Sequence, residues 1–160
     1  MKKPPALLLI DVQKGFHEPV WGVRNNLDAE HNMARLLAAW RAAERPVVHV
    51  RHNSTSATSP LRPGQPGNEF KDEVAPLAGE AQFSKTVNSA FIGTDLENFL
   101  HDANIQSLVI VGLTTDHCVS TTTRMAGNLG FDVTLVGDAT ATYERNTADG
   151  KHFSAEEIHD

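Results

Sequence analysis

Ala6-Leu7-Leu8-Leu9-Ile10-Asp11 is a run of five apolar residues closed by a carboxylate. A continuous apolar run of this length suits a strand buried on both faces, as in parallel sheets covered by helices. The same pattern returns twice. Pro46 opens Val47-Val48-His49-Val50, and the apolar stretch from Ser107 to Val111 is stopped by Gly112. Between the first two runs, Asp28 to Ala43 sets Met33, Leu36, Leu37 and Trp40 at helical spacing. Ala81 to Thr86 reads as a weaker strand, and Thr94-Asp95-Leu96-Glu97 as a capping box opening a helix to about Ala103. A helix from about Asp116 to a glycine cap at Gly130, then a strand from Asp132 to Val136, complete the alternation. Strands alternating with helices predict an α/β fold: three α/β/α layers, Rossmann-like, with a parallel sheet and helices on both faces.

Composition narrows the function classes. A chain of 160 residues fits one domain, and 40 % hydrophobic residues can build its core, which excludes a fully disordered chain. The net charge of −6 speaks against nucleic-acid binding by bulk electrostatics, and an aromatic content of 6 % offers little for base stacking. Lys2 and Lys3 precede the first apolar run, but five residues are too few for a signal peptide or a membrane span. The reading is therefore a cytoplasmic protein with a small-molecule partner, not a membrane or a nucleic acid. One cysteine, Cys118, excludes an internal disulfide framework and a cysteine-based zinc cluster.

Residues 53–68, rich in Ser, Thr, Pro and Gly, form a long loop of the kind that often closes over a site. At the end of the chain, Ser154-Ala155-Glu156-Glu157 resembles a second capping box, yet only three residues follow it. One helical turn does not hold itself without tertiary packing. The expectation is a single domain over residues 1–160 whose C-terminal helix and last strand are missing.

Three polar residues fall where a parallel sheet would gather its strand ends: Asp11, Lys85 after Ala81-Gln82-Phe83-Ser84, and Cys118, six residues past Gly112. An acid, a cation and a thiol there make a plausible nucleophilic site. A helix N-terminus and a nearby cation would favour the thiolate. Asp11 would take the thiol proton, Lys85 would keep that carboxylate ionised, and N–H groups around Thr114 and Cys118 would bind an oxyanion. Residue type alone leaves plainer readings open: a small core cysteine, a turn aspartate, a solvated lysine and a redox-sensing thiol.

Leu8-Leu-Ile-Asp-Val-Gln13 with Phe16, Ser84-Lys-Thr-Val-Asn-Ser-Ala-Phe91 with Gly93-Thr94, and Val111-Gly-Leu-Thr-Thr-Asp-His-Cys-Val119 resemble the isochorismatase-like cysteine hydrolases, as do Gly130-Phe-Asp-Val133 and Val136-Gly-Asp-Ala139. The blocks keep the family's order from residue 6 to about 145. The resemblance implies a catalytic Asp11–Lys85–Cys118 triad and a six-stranded sheet. It also implies a cis peptide between Leu113 and Thr114, and an oxyanion hole from the Thr114 and Cys118 N–H groups. Family members with the cysteine mostly cleave amide C–N bonds through a thioester. The resemblance leaves two alternatives: vinyl ether hydrolysis with Asp11 as acid, and a non-catalytic small-molecule binder. It further implies self-association, at least to a dimer.

Metal-binding members use an aspartate and two histidines after the second strand. Here the segment reads His49-Val-Arg-His-Asn53 without an aspartate, and His49 and His52 would point to opposite faces of a strand. No metal and no cofactor is expected, and Ser59-Pro-Leu-Arg-Pro-Gly-Gln-Pro-Gly67 looks like the loop of the non-metal subgroup. Phe16, Trp21, His52, Asn53 and His117 are the candidates to line a substrate pocket. Arg62 is readable as a carboxylate ligand or a solvated loop residue, and Asp116 as a helix cap.

Overall fold

A computed structural model describes residues 3–160; Met1 and Lys2, the latter weighed above as part of a leader, lie outside the described residues. Five strands form one parallel sheet: β1 (Ala6–Ile10), β2 (Val47–His52), β3 (Ala81–Lys85), β4 (Ser107–Leu113) and β5 (Asp132–Ala141). Their order is β3-β2-β1-β4-β5, so the sheet grows one way from β1 and then reverses to the other side through β4. The gap between β1 and β4 is thus the switch point at which such sheets bind ligands.

The apolar run of β1 is buried along its whole length because helices cover both faces. Leu7 and Leu9 face α1 (Ala29–Ala42) through Met33 and Leu37. Ala6, Leu8 and Ile10 pack with residues of α2 (Leu96–Asp102) and α3 (Ser120–Asn128), among them Leu96, Leu100 and Ala126. These are the three layers expected.

Element ends differ from the sequence reading for local reasons. Thr94 does not cap α2: its hydroxyl donates to the Ala90 carbonyl, and Asp95 takes the cap position without a side-chain cap bond. The helix expected from Asp116 begins as a π turn, Thr115–Val119, and becomes α3 at Ser120. Strand β5 runs past Val136, because its pairing with β4 slips between Leu135 and Thr140 and resumes to Ala141. The backbone of that slip is tied down by Asn26, whose side-chain amide donates to the Gly137 and Thr140 carbonyls.

A short hairpin, β6 (Arg145–Asn146) with β7 (His152–Phe153), has no sequence signature above. The Ser154–Glu157 capping box does form, opening α4 (Ala155–His159). That single turn is held by tertiary contact: Ala155 is buried and His159 Nδ1 lies 2.8 Å from Thr115 Oγ1. A sixth strand of the main sheet is not among the described residues.

Candidate active site

Four strand-edge features converge at the switch point. Asp11 leaves β1 with φ of +52°, a left-handed conformation that Asp tolerates better than most residues. Its N–H is anchored on the Val50 carbonyl at 2.9 Å. Lys85 ends β3 beside its register partner His52 on β2. Strand β4 closes on β1 at Gly112, where an added Cβ would stand 2.1 Å from the Ile10 carbonyl oxygen, so only glycine fits there. The Leu113–Thr114 peptide that follows is cis. The Thr114 carbonyl then accepts from the N–H groups of His117 and Val119, both at 3.2 Å, and Cys118 sits between these two donors.

Lys85 Nζ reaches Asp11 Oδ2 at 2.7 Å, and both side chains are fully buried. It also lies 3.1 Å from His52 Nδ1. Asp11 Oδ1 has no hydrogen-bond partner among the described residues. Cys118 Sγ donates to Asn88 Oδ1 at 3.6 Å, and single atoms of Asp11, His52 and Cys118 lie within 4.8 Å of one another.

Burial dominates the electrostatics. It raises the Asp11 pKa above its ordinary value despite the Lys85 charge. It pushes the Cys118 thiol up to about 12, reinforced by Asp11 and only partly opposed by Lys85. Burial and the Asp11 charge thus work against the thiolate that a nearby cation and a helix end would favour. Desolvation is the largest of these influences on the thiol. His52 is held down at about 4, first by burial and then by the Lys85 charge.

These residues open on a cavity of about 110 Å³. Phe16, Trp21, His52 and His117 lie in its wall with Asp11, Thr114 and Cys118. Asn53 does not, a correction to the sequence reading: its Oδ1 accepts from Asn68 Nδ2, which ties the 53–68 loop shut instead. Leu61 from that loop, Asn88 and Arg145 complete the wall and were not singled out from sequence. Phe16 and Trp21 are fixed by Tyr143, whose hydroxyl donates to the Phe16 carbonyl at 2.5 Å and whose ring lies 6.1 Å from that of Trp21. Arg62 turns to the Ala57 carbonyl on the exposed side of its loop. The cation in the wall is Arg145, pinned by Asp116 Oδ2 at 3.2 Å, while Asp116 Oδ1 accepts from Thr142 at 2.6 Å. Asp116 thus orients Arg145 and does not cap the helix, whose cap position is Thr114. A larger depression, about 790 Å³, opens near Pro46 and Ala81 at the far end of the sheet and contains none of this chemistry.

Asp11, His52 and Cys118 are also the described residues closest to a metal-ligand set. The Lys85 ammonium already occupies the edge between Asp11 and His52, so a cation there would meet a like charge. His49 faces away, with Nε2 on Glu80 at 2.8 Å.

Known proteins carry the same arrangement of sequence. The isochorismatase domain profile matches residues 5–157. The chain is 45 % identical over 159 residues to YrdC, an uncharacterized isochorismatase-family protein of Bacillus subtilis strain 168, covering 99 % of this chain and 85 % of that one. A crystal structure from the same family, of Chromobacterium violaceum, superposes with a TM-score of 0.94 at 47 % identity, over 99 % of this chain and 82 % of the other. Maleamate amidohydrolase of Pseudomonas putida is 30 % identical over 153 residues, 84 % of this chain and 70 % of its own length. With the sheet order, the strand-edge residues and these matches agreeing, the chain belongs to the isochorismatase family of hydrolases.

Proposed function

We propose that the protein hydrolyses a small amide through a thioester on Cys118, with Asp11 and Lys85 completing the catalytic triad. The observation that carries this reading is the Asp11 carboxylate: one oxygen is held by Lys85, the other has no hydrogen-bond partner among the described residues, and a carboxylate oxygen lies within 4.8 Å of the buried Cys118 sulfur. Cys118 Sγ attacks the amide carbonyl while Asp11 takes the thiol proton. The C–N bond then breaks, Asp11 returns that proton to the leaving amine, and water cleaves the thioester with Asp11 as base. A raised Asp11 pKa suits a group that must carry a proton in mid-reaction. The N–H groups of Thr114 and Cys118 receive the oxyanion.

A cavity of about 110 Å³ holds the equivalent of roughly four waters, so the substrate is small. Arg145 gives its wall a positioned cation and favours an amide that also bears a carboxylate, as maleamate does for the relative named above. The single free cysteine suits the reducing cytoplasm, where we place the protein as a dimer or larger assembly.

The test is a turnover screen of short neutral amides against short carboxy-amides, with Cys118→Ala and Arg145→Met beside the parent. Cys118→Ala should lose about ten-thousandfold in kcat or more. Arg145→Met should raise KM about ten- to hundredfold for carboxy-amides alone. Full turnover by Cys118→Ala would sink the thioester mechanism. If only Asp11→Asn then lost activity, vinyl ether hydrolysis with Asp11 as acid would replace it.

A further inference from the structure

We propose that His52 is a positioning residue of this site: a neutral imidazole whose Nδ1 accepts from the Lys85 ammonium and holds it against Asp11. The proposal rests on the triad reading for its consequence in turnover, but its geometry stands apart from any substrate.

Sheet order sets the problem. Lys85 is on β3 and Asp11 follows β1, with β2 between them. The lysine must therefore reach across two strand spacings, roughly 10 Å, to meet its carboxylate. His52 is its register partner on the strand it crosses, and Nδ1 lies 3.1 Å from Nζ. An ammonium has donors and no acceptor, so Nδ1 must be the lone-pair nitrogen and the ring proton must sit on Nε2. The Lys85 charge then has two acceptors, Asp11 Oδ2 at 2.7 Å and His52 Nδ1, which fix its direction as one could not.

His52 is itself mounted rigidly. The side chain of Gln13, fully buried, pairs with both sides of its backbone: Oε1 accepts from the His52 N–H at 2.8 Å, and Nε2 donates to the His52 carbonyl at 3.0 Å. Asn68 Nδ2 donates to the same carbonyl at 3.1 Å. No other part of β2 is clamped in this way by side chains among the described residues. The charged and titratable groups facing the ring are Lys85, Asp11 and Cys118, with His117 and Arg145 across the cavity. Burial and the Lys85 charge together keep the imidazole neutral down to about pH 4.

The decisive measurement is nitrogen-15 NMR of the histidine rings in the intact protein between pH 5 and 8, with no substrate needed. His52 should show a protonated Nε2 and a bare Nδ1 throughout, and Lys85→Met should raise its pKa toward the ordinary 6.5. An Nδ1–H tautomer, or a ring that titrates near 6.5 in the parent protein, would overturn the proposal. In turnover, His52→Leu should lower kcat about ten- to hundredfold with little change in KM, and His52→Asn, which keeps an acceptor near Nδ1, should recover most of it. Equal losses in the two variants would also overturn it. A bare Nδ1 in a protein that cleaves no amide would leave the positioning pair standing and count against the amidase reading alone.

Discussion

Asp11–Lys85 and Glu30–Lys71 are both lysine–carboxylate pairs shielded from water, at 2.7 Å and 2.5 Å. Glu30 takes a bidentate pair of bonds from Arg24 as well, each 2.8 Å, so three donor groups meet its two oxygens. Its pKa falls to about 2. Asp11 receives Lys85 on one oxygen, its other oxygen has no partner of good hydrogen-bond geometry among the described residues, and burial raises its pKa despite Lys85 and the weak help of the Cys118 thiol. Burial opposes the charged form in both; it is more complete around Asp11, and Glu30 has more donors to offset it, so the two carboxylates shift in opposite directions. The Glu30 cluster is a joint, tying the segment around Arg24 and Lys71 to the start of α1. The Asp11 pair is left unfinished, with one oxygen able to exchange a proton. Satisfied buried charge fixes structure, and under-satisfied buried charge is available for chemistry.

Exchanging each carboxylate for its amide should therefore do opposite things. Asp11→Asn should cost about 10²- to 10⁴-fold in turnover, the usual range for a lost general acid–base. It should also lower the apparent pKa of Cys118, because the Asp11 charge helps to hold that thiol near 12. Alkylation by iodoacetamide across pH reads this directly, and a Cys118 profile that does not move would break the coupling. Glu30→Gln should instead leave kcat of the folded protein nearly intact and destabilise the fold by about 3–5 kcal/mol, since Arg24 and Lys71 lose their counter-ion. Thermal melts of the two variants side by side test the contrast. A larger loss of Tm in Asp11→Asn than in Glu30→Gln would reverse it.

Acid sharpens the same comparison. Glu30 is depressed from 4.5 to about 2, so its contribution is complete above about pH 4.5 and is lost as the pH falls toward 2. The amount is on the order of 3 kcal/mol. Asp11 runs the other way: its raised pKa means that the fold holds its proton more tightly than the unfolded chain, so acidification relieves a cost there. Glu80, also depressed to about 2, loses its contribution in parent and variant alike. The stability gap between the parent and Glu30→Gln should therefore be constant from pH 7 to about 5 and close toward pH 2. A gap that persists at pH 2 would mean that something other than the Glu30 charge makes the joint.

Much of the strand edge that carries the candidate site could be read from sequence because continuous apolar runs mark buried strands and the polar residues closing them stand out. Asp11, Lys85 and Cys118 each had such a marker, and strand alternation correctly separated His52 from His49. Other features had no local marker. Arg145 enters the cavity from a hairpin strand two residues long, and Asp116, which aims it, is 29 residues away. The Glu30–Lys71 joint spans 41 residues, and either residue alone looks like surface charge. Asn53 failed as a wall residue because its neighbour Asn68, distant in sequence, claims its oxygen. The environment of Cys118 was legible only in part: helix position and charge can be read from residues, but the burial that raises its pKa cannot.

A third lysine sets the lower limit of the comparison. Lys14 follows Gln13 and meets two carboxylates, Glu69 at 3.2 Å and Asp72 at 3.0 Å, where the buried lysines Lys71 and Lys85 each meet one. Counted by ion pairs alone, it would matter more than Lys71. Yet the side chains of Glu69 and Asp72 are 64 % and 87 % exposed, so water solvates all three charges whether or not they pair. Holding a long side chain in one place costs entropy that so screened an attraction barely offsets. Lys14→Ala should therefore leave Tm within experimental error at ordinary salt and leave turnover unchanged, although the residue lies between Gln13 and the cavity residue Phe16. A clear fall in Tm that disappears at 1 M salt would show that Lys14 acts electrostatically in spite of its exposure. The number of carboxylate partners, not burial, would then be the variable that separates the three lysines.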